Sequence, residues 1–584
     1  MMIETDVLVV GSGPAGSTAA ALLASYGIRN VLITNHQWLS NSPRSHITNQ
    51  RALEVLRDLG VEKDAILYGT PQELMGNNVF CTSLSGEELG RVHSWGSHPM
   101  TMARHVLASP CRMMDLPQNF LEPILFGAAC SKGTKARLST EYLSHVQDEG
   151  GVITRARDRI SGEEFDIRSK YLIGADGANS HVAADAGLKM AGQMGLAGSI
   201  NILFKGDLSR YVAHRPSVLY WVLQPGSDIG GIGMGVVRMV RPWNEWLVIW
   251  GYDIHGPQPL VDEEFAKGVV YSLIGEQVVP IEIKSISTWT VNHMYALQCS
   301  KGRVFCMGDA IHRHPPSNGL GSNASIQDAY NLAWKLALVI KGQASHSLLD
   351  TYQEERGPIS KQIVDRSNKS IEEFGPIFQA LGLIDTKNPD EMIENIAARL
   401  KDTPQAQEQR RKLREAIAHK IYEFDCHGFE MNQRYKSSAV VSDGSPDPGF
   451  KQDPEIYTQL CTYPGAHLPH VWIEKGTDRV SIFDVCGKGY FTVLTGIGGN
   501  CWAQAANALS VATGLVVKVV TIGPGCDYED PFGEWAIARE ILDSGCILVR
   551  PDMHVAWRSN NRSEDATNDL AVVFTKILGR KITL

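Results

Sequence analysis

The chain has 584 residues, a net charge of -9 at pH 7 and a pI near 6.1. That length is too great for one hydrophobic core, and the acidic balance excludes a broad nucleic-acid surface or a basic membrane patch. No apolar run reaches the ~18 residues that a transmembrane helix needs. The opening MMIETDVLVV carries acids and enters a strand at once, so no cleaved signal is expected. Eleven cysteines without a CxxC pair predict a reducing compartment, the cytoplasm.

Taken in chain order, residues 6–34 read as strand, Gly-rich turn, helix and second strand: DVLVV, GSGPAG, STAAALLASYG and NVLIT. The first strand is a continuous apolar run, the pattern of a buried parallel strand. RALEVLRDLG, residues 51–60, has helical spacing closed by Gly60 as a C-cap. From about 195 to 295 the texture is β: SINILF, SVLYWVLQPG, GIGMGVVRMV, EWLVIWGYD and IKSISTWTV stand between turn residues. KGRVFCMGDA returns to a buried strand, and SIQDAYNLAWKLALVIKG predicts a long amphipathic helix. Residues 351–425 read as charged helices, with EQRRKLREAIAHK a solvated face. PDPGF and YPGAHLP then lead to a small α/β module with strands RVSIFDVC, YFTVLTG, VVKVVTIG and CILVRP.

Gly11, Gly13 and Gly16 form GxGxxG between a strand and a helix, with Pro14 and Ala15 opening the helix. The spacing serves a tight turn, close approach to a pyrophosphate and helix–strand packing, so it predicts a dinucleotide. The acidic residue expected at the end of the second strand is absent; LITNH leaves Thr34 or Asn35 to meet the ribose. GDAIHRHPPSNGLGSN, residues 308–323, offers His312 and His314 as metal ligands or a backbone cradle for an anion. A metal needs a third ligand, and no further histidine or carboxylate cluster supplies one, so no metal is expected.

Together with YLIGADGANS and RVFCMGDA, these glycines resemble the class A flavoprotein aromatic hydroxylases. The resemblance implies a Rossmann-like FAD-binding α/β domain (1–190 and 296–440), an inserted β-sheet substrate region (191–295) and a thioredoxin-like C-terminal domain (441–584). It implies that Asp309 holds the ribityl chain and that Asp176 lies near the FAD pyrophosphate and in nicotinamide binding. The arginine that often follows this DG motif is absent, where the sequence reads SHVAA. Pro316, Gly319, Leu320, Gly321 and Asn323 would cradle the flavin, with the helix dipole favouring its reduced anion, and Pro315 would face the substrate. PRSHITNQRALEVLRDLG and DLPQNFLEPIL look like FAD elements of the family, giving Arg44 to the pyrophosphate and Gln118 to the ribityl chain. YVAHRPSVLYWVLQPGSDIGG, VRMVRPWNEWLVIWGYD and RPDMHVAWR are similar to its phenol-hydroxylating branch. The tail lacks a redox cysteine pair, so its expected role is packing or support of a homodimer or homotetramer.

The resemblance implies that NADPH or NADH reduces FAD, that reduced FAD takes up O2 as a C4a-hydroperoxide, and that OH is delivered ortho to a phenol. A phenolate reacts faster than a phenol, and His46 aligns with the family's base; His214 is a weaker candidate. Of Tyr220, Trp221, Trp250 and Tyr252, strand alternation sends only some inward, and Tyr220 and Trp250 are expected at the pocket. Few charges interrupt these strands, which predicts a neutral apolar phenol unless Arg215 or Arg238 points inward. Three other readings compete. A halogenase would carry WxWxIP, which is missing. A hydroxylase of a larger aromatic, such as an indole or polyketide phenol, differs in pocket volume. A flavin carrier needs no substrate chamber.

Overall fold

The computed structural model describes residues 2–225, 235–257 and 259–582. Its first sheet grows from the apolar strand Met2–Val10, whose Val7, Leu8 and Val9 are fully enclosed. Parallel neighbours Glu164–Gly174 and Asn30–Ile33 flank it, and Val304–Cys306 and Lys135–Arg137 extend the sheet on either side. This parallel core puts the Gly-rich turn, the DG segment and the GD turn at the carboxyl ends of adjacent strands, where α/β sheets bind ligands.

Helix Gln50–Leu59 ends as expected on Gly60, with φ at 81°. The predicted amphipathic helix runs Gly321–Ile340 and differs from expectation: it is enclosed on every side from Asn323 to Leu338. The C-terminal domain explains this, because the Trp334 ring meets Phe491 edge-on at 5.6 Å.

The β region forms an eight-stranded sheet that reaches beyond residues 191–295. It recruits Asn77–Cys81 and Glu88–His93 at one edge and His312–Arg313 at the other. The run GIGMGVVRMV forms a strand over Gly235–Arg241; its residues 231–234 lie outside those described. Helix Glu263–Ile274 covers one face, so closely that a Cβ on Gly235 would lie 2.5 Å from Leu273.

The C-terminal sheet has the strand order Val517–Thr521, Phe491–Thr495, Cys546–Val549, Val555–Ser559, parallel only in its first pair. Helices Asn500–Thr513 and Ala566–Leu578 complete a thioredoxin-like module. A buried ionic cluster joins it to the rest: Arg550 donates to Glu355 at 2.6 and 2.8 Å and to Asp552 at 2.6 Å, and Lys335 donates to Glu355 at 2.7 Å.

Candidate active site

Three motifs distant in sequence pack against one another. Gly11 sits at φ 108°, and a Cβ there would lie 2.1 Å from the Ala175 carbonyl oxygen. A Cβ on Gly16 would lie 2.0 Å from the Gly11 oxygen, and one on Gly308 would lie 3.2 Å from Ala15 Cβ. Gly13 is different: its Cβ would meet only Glu122 Oε1, at 3.9 Å, so its outer side is open. Helices Pro14–Ser25 and Gly321–Ile340 begin without a side-chain cap or an acid in the first turn, leaving backbone N–H groups unclaimed. Asp309 touches solvent, yet surrounding protein pushes its carboxyl pKa upward against the positive charges of His312, Arg313 and Arg44. A group both reachable and hemmed in fits the wall of a cleft. Open glycine, free helix ends and a recessed carboxylate fit the diphosphate and polyol of FAD.

The remaining expected contacts divide. Arg44 extends its side chain into solvent, and its charge reaches both Asp309 and Glu122. Gln118 accepts the Ser45 N–H at 3.4 Å and donates to Glu122 at 2.5 Å. Glu122, which lies in DLPQNFLEPIL but is given no role from sequence, also accepts the Ser40 N–H at 2.6 Å, and burial raises its pKa. Thr34 is buried, while Asn35 is exposed. Pro316 is exposed and Gly321 partly so, whereas Pro315 and Leu320 are buried. Gly319 sits at φ 62°, and a Cβ there would lie 2.9 Å from that of Ile47, so both its backbone and its neighbour call for glycine.

Two expected cofactor contacts have their side chains committed to the fold. Asp176 accepts from the Ser180 hydroxyl at 2.5 Å and the Val182 N–H at 3.1 Å, which holds the turn into helix His181–Asp185. Asn323 donates to the carbonyls of Ile47 and Gly319 at 2.9 and 2.6 Å and accepts from the Asn49 N–H at 3.1 Å. It ties the loop around residue 46 to the GD helix. His312 is engaged too: its Nε2 lies 3.0 Å from Asp328, which also accepts the Gly308 N–H at 3.1 Å and Arg356 Nε at 2.7 Å. Among the described residues no group of three His, Cys, Asp or Glu side chains is placed to hold a metal.

His46 lies on the same loop. The short antiparallel pairing of Ile47 with Asp115 brings its ring to that carboxylate, Nδ1 to Oδ2 at 2.8 Å. Arg238 enters from the β region and donates Nη1 to the Arg44 carbonyl at 2.8 Å. It is only 1% exposed, and its Nε and Nη2 have no partner; Asp115 Oδ1 and Ser45 Oγ are likewise unpaired. Burial, then the Arg238 charge, lowers the His46 pKa, against the opposing pull of Asp115. Burial also brings Arg238 down to about 10, with Asp115 holding it up. His46 is therefore neutral near pH 7. An ionised Asp115 can only accept, so Nδ1 carries the proton and Nε2 presents a lone pair.

The pocket aromatics require correction. Tyr220 pairs with Val237, and Trp246 and Val248 share the face of Trp250. All point toward helix Glu263–Ile274, not toward Arg238. Tyr220 is completely enclosed, its hydroxyl donating to the Arg215 carbonyl at 3.0 Å. Leu219 and Leu247 flank Arg238 in register, and Trp221 shares that face. The Trp221 ring lies 4.7 Å from Phe374 and donates to Asn78 at 3.0 Å. Arg215 is a support, bound to Glu88 at 3.0 Å and the Leu84 carbonyl at 2.7 Å, and His214 is exposed. Arg238 does point inward, against the expectation of a charge-free wall, with Asp115 as its counter-charge.

Residues 4–367 match the FAD binding domain family, and residues 461–581 match the aromatic-ring hydroxylase C-terminal family. The whole chain is 58% identical to the 2,4-dichlorophenol 6-monooxygenase of Cupriavidus pinatubonensis (strain JMP 134 / LMG 1197), covering 97% of that protein. Over 97% of the chain and 91% of its relative, it is 47% identical to the phenol 2-monooxygenase of Pseudomonas sp. (strain EST1001). The flavin-dependent monooxygenase PieE, solved with FAD and substrate, superposes with a TM-score of 0.95 at 41% identity over 99% of both chains. This chain belongs to the FAD-dependent aromatic-ring hydroxylases.

Proposed function

We propose that the protein hydroxylates phenols, chlorophenols among them, ortho to the hydroxyl group, using NADPH and O2. The observation that carries this reading is the His46–Asp115–Arg238 cluster. It offers a neutral nitrogen to take the phenolic proton and a buried cation with two unpartnered nitrogens to hold the resulting phenolate. Bound FAD supplies the oxygen activation. Asp309, Arg44 and Gln118 hold it, and the uncapped helix starts offer N–H groups to its anionic parts. Arg238 then aligns the phenolate oxygen, His46 Nε2 retains its proton, and Asp115 keeps the ring in the accepting tautomer. The apolar face around Leu219, Trp221 and Leu247 excludes water from the ring.

Eleven free cysteines support a cytoplasmic protein. The C-terminal domain supports a homodimer or homotetramer.

The deciding experiment is NADPH oxidation by purified holoenzyme with and without 2,4-dichlorophenol, coupled to product mass. Phenol-dependent oxidation with a gain of one oxygen is expected. Stimulated oxidation that yields only peroxide, or no stimulation, refutes the assignment.

A further inference from the structure

Among the described residues, Arg313 has no carboxylate partner in an ion pair. It lies on the edge strand His312–Arg313, which pairs with Met294 and Tyr295 of the β sheet, so it stands where the two sheets meet. Its Nε donates to the Asp309 carbonyl at 3.1 Å and its Nη1 reaches only the sulfur of Met194, at 3.8 Å. Asp309 and Asp176 are the charges that oppose the effect of its burial, without pairing with it directly. The bond to the Asp309 main chain and the Met194 contact hold a partly exposed guanidinium close to Asp309 and Asp176.

The ground beside it is unusual. Strand Met190–Lys205 breaks its register between Gln193 and Ala197, with Gly192 and Gly195 at φ 106° and 68°. The Gly195 N–H donates to Asn292 at 2.9 Å, which pins the bulge. Its displaced Met194 and Leu196 stand 41% and 43% exposed. A half-buried guanidinium beside an apolar shelf suits a ligand with an anionic diphosphate and a flat ring.

We propose that Arg313 docks the diphosphate of the reduced nicotinamide dinucleotide, with the Met194–Leu196 bulge as the shelf for one of its rings. This rests on the monooxygenase reading, which needs a hydride donor that arrives and leaves at each turnover. A partly exposed position suits such a ligand. FAD, held at Gly13 and Asp309, needs the interior.

The test uses FAD-loaded Arg313→Gln and Arg313→Lys proteins, titrated with NADP+ and NAD+ and followed by flavin absorbance. Arg313→Gln is expected to bind its preferred dinucleotide at least about tenfold more weakly, since a charge-assisted pair is worth about 1.4 kcal/mol or more. Its affinity should lose most of its dependence on salt, and Arg313→Lys should recover part of both. FAD content and reduction by dithionite should match the parent. Unchanged dinucleotide affinity overturns the proposal, as does loss of FAD with dinucleotide affinity intact, which assigns Arg313 to the FAD diphosphate. The two readings fail separately: a parent enzyme that binds NADP+ through Arg313 but ignores phenols refutes the phenol assignment alone.

Discussion

His46→Ala offers the sharpest examination of the acid–base reading, because the size of its effect should follow the acidity of the substrate. His46 is held at 2.8 Å from Asp115 with its side chain 14% exposed, and burial, with the Arg238 charge adding to it, keeps the ring neutral. A phenol titrating near 10, as tyrosine does, is ionised to about one part in 300 at pH 7.5. Complete deprotonation in the site is thus worth at most about 300-fold, or about 3.4 kcal/mol. We expect His46→Ala to retain its yellow flavin and lose about 100-fold in kcat with phenol. Each unit by which a substituted phenol is more acidic should remove about tenfold of that loss, until phenols ionised in solution lose no more than about threefold. The assay is coupled product formation across a series of chlorinated phenols. A loss of equal size for every phenol would mean that the ring acts by packing, and the base assignment would fall. The pH profile gives a second arm. His46 titrates below the ordinary histidine value, so its base form persists at pH 7 and disappears only as pH falls through that lowered value. Arg238→Met removes the cation that depresses it and leaves Asp115, so the acid limb of kcat should move to higher pH.

Other consequences are open to direct measurement. Asp309→Ala should release FAD on dilution or gel filtration while the fold persists; full retention would displace the ribityl contact from this carboxylate. Glu430 is pushed up to about 8 by burial and by the Asp425 charge, so the native state holds a proton that the unfolded chain releases near 4.5. Its contribution to stability therefore falls as pH rises from about 4.5 to about 8. Glu430→Gln should stabilise the protein at pH 8 and do little at pH 4.5, as read from urea midpoints; the opposite trend would show the side chain to be ionised in the fold. Arg550→Met should cost about 3–5 kcal/mol in chemical unfolding, because Glu355 and Asp552 lose their shared buried counter-charge. A cost below about 1 kcal/mol would mean that the cluster contributes no net stability.

Features set by local backbone chemistry are readable from sequence. The helix stop at Gly60 and the tight turn in which a Cβ on Gly16 would lie 2.0 Å from the Gly11 oxygen are examples, since each requirement sits within a few residues. Features set by long-range packing are not. Asp115 meets His46 across 69 positions through a two-residue strand pairing, too short to leave a periodic signal. Alternation correctly separates two faces along Glu245–Tyr252, but only the docking of helix Glu263–Ile274 decides which is covered. That docking takes Tyr220 and Trp250 and leaves Arg238, Leu219 and Trp221 to the other side. The enclosure of helix Gly321–Ile340 has the same origin. Its Lys335 reads as a solvated position, yet it lies fully buried against Glu355 of the next long helix.

Hydrogen-bond satisfaction separates the residues that build the site from those that would work in it. Asp328, Asn323 and Asp176 all belong to motif segments, and each has its polar atoms paired within the protein. Changing them would shift the loops they hold. Arg238 Nε and Nη2, Asp115 Oδ1 and Ser45 Oγ form the contrast, because four unpaired atoms converge beside one histidine. A buried atom left unpaired costs about 1–3 kcal/mol, which a ligand that pairs with it offsets. A phenol oxygen can accept from Arg238 while its one proton passes to His46 Nε2, so a small phenol uses the cation and the base together. A larger polar ligand would demand more partners than the apolar wall of Leu219, Trp221 and Leu247 can give. One cation and one base set in an apolar wall thus favour a phenol over a more heavily substituted polar ring.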